Sequence, residues 1–68
     1  MRYDEPIMAL LRTEGRPMTC KEIAERLNVP RNSTRRTIGS LQRFRMIHPG
    51  PEIRMEGQRP IITWEAEE

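Results

Sequence analysis

The sequence predicts an α+β, mainly α-helical domain in which three helices precede a two-stranded β-hairpin. Three observations carry that reading. Apolar residues recur at helical spacing as far as about Phe44 and alternate, strand-like, after it. Turn and cap residues fall between the periodic stretches, at Gly15, Asn28-Val29-Pro30 and His48-Pro49-Gly50-Pro51. The chain has 68 residues, enough for one domain, 1–68, and a domain of that size buries only roughly 60% of the surface its unfolded form exposes.

Helix 1 is expected over about 5–14. Asp4 is placed to cap it, and Pro6 lies in the first turn, where a missing N–H costs nothing. Ile7, Leu10 and Leu11 form its apolar stripe with Met8 at the edge, and Gly15 is placed to end it. Arg16-Pro17-Met18 is a connector with room for one bridge of edge strand. Thr19-Cys20-Lys21-Glu22 then matches a capping box, in which the threonine hydroxyl and the glutamate carboxylate each take an orphan backbone N–H. Helix 2 follows over about 20–27. Cys20, Ile23, Ala24 and Leu27 share one face; Lys21, Glu22, Glu25 and Arg26 share the other.

Asn28-Val29-Pro30 is the turn into helix 3, at about 31–44. Asparagine tolerates the left-handed conformation, and proline starts a helix well. On a helical wheel Thr34, Thr37, Ile38 and Leu41 point one way with Phe44 at the margin, and Asn32, Arg35, Arg36, Gly39 and Arg43 point the other. The β-hairpin is expected at about 52–64. Ile53 and Met55 alternate with Arg54 and Glu56, 56–60 makes the loop, and Ile61-Ile62-Thr63-Trp64 returns. Residues 65–68 are read as a frayed tail, Trp64 as a lid on the core, and Met18, Met46 and Met55 as its gap fillers.

Composition narrows the function classes. Cys20 is the lone cysteine and His48 the lone histidine, too few for a four-ligand structural zinc site or a base–nucleophile pair, so no metal, cofactor or catalytic activity is expected. Cys20 is expected to be a small core residue. No apolar run approaches the ~20 residues of a membrane span, and the first residues lack a signal-peptide pattern, so the expected setting is cytoplasmic. The net charge is only +2, but no acidic residue occurs from Arg26 to Pro51, a window that holds Arg26, Arg31, Arg35, Arg36, Arg43 and Arg45. Arginine supplies eleven of the twelve basic residues, and its planar fork suits phosphate or guanine.

The string Lys21 to Leu41, with Ala24 where two helices cross and Val29 in the turn, resembles the winged helix-turn-helix family of transcription regulators. Outside Lys21 to Ile47 the likeness is one of element order. The resemblance implies that helix 3 lies in the major groove of double-stranded DNA while the hairpin wing reaches the backbone or minor groove. Asn32, Arg35 and Arg36 are then the candidates for base contact. Arg31, Ser33, Ser40, Arg43 and Arg59 are the candidates for phosphate contact. Gly39, on the outer face, would allow close approach of the helix backbone to DNA. Val29-Pro30-Arg31 and the wing proline also resemble Z-nucleic-acid-binding winged helices, but Arg35 and Gly39 stand where those carry asparagine and tyrosine, so B-form DNA is expected.

The reading is thus a sequence-specific regulator, expected to be a homodimer with no small-molecule substrate. The alternative is a protein-interaction or dimerisation module in a larger complex, supported by the small size, the apolar residues of helix 1 and the acidic end of the sequence.

Overall fold

A computed structural model describes residues 3–67. The elements run α1 (Asp4–Glu14), β1 (Met18–Thr19), α2 (Cys20–Leu27), α3 (Arg31–Arg43), β2 (Ile47–Pro49) and β3 (Thr63–Ala66). Three helices and a small antiparallel sheet make a mainly helical winged helix-turn-helix fold. The sheet order is β1-β3-β2, so the last strand is the central one, pairing Met18 with Trp64 on one side and Ile47 with Ala66 on the other.

Local chemistry sets the helix ends. Gly15 adopts φ 61° and gives its N–H to Leu11 O, closing α1. The capping box of α2 forms in full: Glu22 N–H donates to Thr19 Oγ1 at 3.0 Å, and Thr19 N–H donates to Glu22 Oε1 at 3.2 Å. Asn28 takes the left-handed conformation, φ 54°, that ends α2, and Pro30 opens α3 by accepting from Thr34 N–H at 3.0 Å. Asp4 departs from its expected place. Tyr3 holds the cap position with no side-chain cap bond, and Asp4 and Glu5 instead set negative charge within the first turn, where the helix dipole favours it.

Every helix and the first two strands supply the core: Ile7, Met8 and Leu11 from α1, Met18 from β1, Ile23 and Ala24 from α2, Ile38 and Leu41 from α3, Ile47 from β2. Met8 is therefore buried rather than marginal. Cys20, Leu27 and Trp64 pack against this core half-buried. Thr34 and Thr37 are buried too, and their hydroxyls donate to the carbonyls of Pro30 (3.1 Å) and Ser33 (2.9 Å), so polar groups on the inner face are satisfied within the helix itself.

The wing departs most from expectation. His48 and Pro49, read as a turn, belong to β2; Pro49 is tolerated because β2 is an edge strand. Residues 50–62 form a loop whose only ladder contact among the described residues is the reciprocal Ile53–Ile61 bridge, at 2.9 Å in both directions. Glu65 and Ala66, read as frayed, complete β3. Ala66 packs on the core, Glu67 N–H donates to Met46 O, and the His48 ring sits between Glu65 and Glu67. The expected filler Met55 is exposed, with Ile53, Ile61 and Ile62, because the loop that carries them projects beyond the core, and the other expected filler, Met46, is exposed with Phe44 in the link between α3 and β2. Glu68 lies outside the described residues.

Candidate nucleic-acid interface

The sequence of α3 fixes which of its sides faces out. Burial of Thr34, Thr37, Ile38 and Leu41 against α2 and the core leaves Arg31, Asn32, Arg35, Arg36, Gly39 and Arg43 exposed on the opposite side. Ser33 and Ser40 are half-buried on the flank. These are the candidate residues on α3, and the fold gathers them on one helix. Arg59 lies apart from them in the exposed 50–62 loop, close to Gly57, whose φ of 78° makes the loop's turn.

Charge pairing separates the arginines into two sets. Arg26 grips Glu14 through two hydrogen bonds, at 3.0 and 3.1 Å. Arg16 lies 3.0 Å from Glu22 and 3.5 Å from Glu14, and Arg54 lies 3.7 Å from Glu52. By contrast, Arg31, Arg35, Arg36, Arg43, Arg45 and Arg59 make no ion pair with any described residue. Their guanidinium groups are exposed and not neutralised by neighbouring carboxylates, which is the condition under which they can take phosphate oxygens or base edges.

Arg45 joins this set. It follows α3 in the left-handed conformation, φ 60°, and is exposed. Its place in the acid-free window was the available signal. Arg31 and Arg35 also reach toward the start of α2, where they act on Cys20. Burial pushes the Cys20 thiol up from its ordinary range, and the two guanidiniums oppose that shift without overcoming it.

Gly39 is open. A Cβ added there would meet nothing within 4 Å, so no packing within the fold requires glycine at this point of the exposed face. Among the described residues no group of three or more histidine, cysteine, aspartate or glutamate side chains could hold a metal ion, and no helix is long and apolar enough to cross a membrane.

The geometry is that of a helix-turn-helix unit with a basic outer helix, and comparison with known families agrees. The family model of the IclR helix-turn-helix domain matches residues 6–51, which spans α1 to the end of β2 and the start of the loop. A comparison with curated proteins finds no match. A match over more than half of the 68 residues places the chain in a DNA-binding regulatory family rather than a catalytic one: it belongs to the IclR helix-turn-helix family of winged helix-turn-helix transcription regulators.

Proposed function

We propose that the protein regulates transcription in the cytoplasm by inserting α3 into the major groove of B-form DNA, associated with the nucleoid while bound. The observation that carries this is the unpaired arginine set on the outer face of α3. Asn32, Arg35 and Arg36 lie in the first half of the helix, the part that enters deepest in helix-turn-helix docking, and read base edges. Arg31, Ser33, Ser40, Arg43 and Arg59 hold phosphates and set the register. The protein acts as a homodimer on two half-sites about one helical turn, or a multiple, apart.

Fluorescence anisotropy with a labelled duplex across a salt series tests this. With about four phosphates neutralised per protomer, log K falls with log salt at a slope of roughly −3.6. Arg36→Ala weakens the preferred sequence by about 1–3 kcal/mol and flattens sequence preference, whereas Arg43→Ala weakens all sequences alike and reduces the slope by about 1. Identical behaviour of the two variants on selected and random duplexes overturns the division of roles. No association even at low salt overturns the DNA reading and leaves a protein-interaction module.

A further inference from the structure

Gly39 stands in the interior of α3 without a reason internal to the fold. Glycine is the poorest helix former after proline, because ordering costs it the most backbone freedom and it has no side chain to pack in return. Neither of the usual grounds for it applies here. Its φ is not positive, so alanine could adopt the same backbone, and a Cβ built there meets nothing within 4 Å. Thr37 and Ile38 beside it are buried, while Gly39 is exposed. The fold by itself would be more stable with alanine. Arg35 and Arg36 lie one turn before Gly39, and Gln42 and Arg43 one turn after it, all exposed and on the same side of the helix. These four long side chains border a notch floored by bare helix, within a span of about 12 Å along the axis from Arg35 to Arg43.

The chemistry of that floor selects what can fill it. Gly39 lies beyond the first four residues of α3 and before the last four, so its N–H and C=O are both spent on bonds within the helix. Outward it shows only its Cα methylene, with no donor left for a phosphate oxygen and no acceptor left for a base amino group. Only an apolar group gains by resting there. On the major-groove edges of the four bases, the one apolar group is the C5-methyl of thymine; every other group is a hydrogen-bond donor or acceptor. We infer that Gly39 is a specificity-determining residue, whose bare backbone receives the C5-methyl of a thymine in the base pair next to those met by Arg35 and Arg36. A side chain at position 39 would occupy the space of that methyl. The inference rests on the DNA reading above and adds one apolar contact to its polar ones.

Two measurements test it. The first is made without DNA: Gly39→Ala is expected to raise Tm by about 4–8 °C. A fall in Tm means that the fold itself needs glycine, and it overturns the inference whatever the DNA result. The second is fluorescence anisotropy on the preferred duplex, with each thymine replaced in turn by deoxyuridine, which lacks only the methyl group. For the unaltered chain, one position in the half-site is expected to cost about fourfold in affinity, the worth of one buried methyl. Gly39→Ala is expected to bind the thymine duplex about fivefold more weakly or worse, and to lose the preference for thymine over uracil at that position, because two methyls compete for one space. Arg43→Ala weakens binding and keeps the preference. If Gly39→Ala weakens both duplexes alike, glycine acts through the conformation of α3 and the inference falls. It falls too if the preferred half-site contains no thymine, or if the uracil scan is flat. Those outcomes, with salt-dependent duplex binding intact, leave the DNA reading standing; no association with any duplex at low salt removes both.

Discussion

The arginines that brace α1 against α2 and those carried by α3 are the same residue held in different ways. Arg26 is clamped by Glu14, and Arg16 is shared between Glu14 and Glu22. Glu22 also caps α2, so one carboxylate serves a helix end and an ion pair together. On α3 no carboxylate of the described residues forms such a pair. Exposed ion pairs contribute about 0–1 kcal/mol each to stability. Their larger effect here is on the field of the protein: they cancel charge on the α1–α2 side and leave the positive surplus on α3. A net charge of +2 therefore understates the charge that a polyanion approaching α3 would meet.

The largest expected effect comes from breaking the α3 side of this contrast. The double change Arg35→Ala with Arg36→Ala should lower affinity for the preferred duplex by about 2–6 kcal/mol if the two act additively. Arg16→Ala with Arg26→Ala should leave affinity within about twofold and the salt slope unaltered, since those groups are already engaged. Equal losses for the two double variants in anisotropy titrations would erase the distinction.

A smaller effect sharpens the α1–α2 side. Thr19→Ala removes one half of the capping box and should cost about 1 kcal/mol of stability, measured by urea unfolding followed through the single tryptophan, with no change in the DNA salt slope.

The smallest effect is that of acid. Glu14 is held below the usual carboxylate range, chiefly by its hydrogen bonds from Arg26, and Glu22 likewise, chiefly by the Thr19 N–H with Arg16 adding to it. A carboxylate whose folded pKa lies below its unfolded value stabilises the fold above the unfolded pKa, about 4.3 for glutamate, and loses that contribution as pH falls through the folded value. Thermal unfolding should therefore be insensitive to these groups above about pH 5 and shift to lower temperature below about pH 4. Glu22→Gln should shallow that acid slope, and an unchanged slope would remove Glu22 from the account.

The helices were legible because their ends are written in adjacent residues. Gly15, the Thr19 and Glu22 pair, and Asn28 act within a turn of where they stand, and the outer face of α3 follows from helical spacing once Ile38 and Leu41 are taken as buried. The sheet was less legible. Which residues become strand depends on partners far away in sequence: Glu65 and Ala66 are ordered by β2, and Met18 by Trp64. The alternation of Ile53 and Met55 mimics a half-buried strand, but the loop that carries them extends past the core. On the site, exposure of the α3 arginines could be read from spacing. The capture of Arg16 and Arg26 by Glu14 and Glu22 could not, since the Arg26–Glu14 contact joins residues twelve apart on different helices.

The central position of β3 bears on how the molecule is made. A ribosome releases all three helices before it releases Thr63 to Ala66, the segment that lies between β1 and β2 and against α1. Until then the nascent helical trio keeps an apolar side open to water, the interval in which chaperones and proteases have their best access to it. Thr63 to Ala66 thus close the sheet, tying the strand before α2 to the strand after α3.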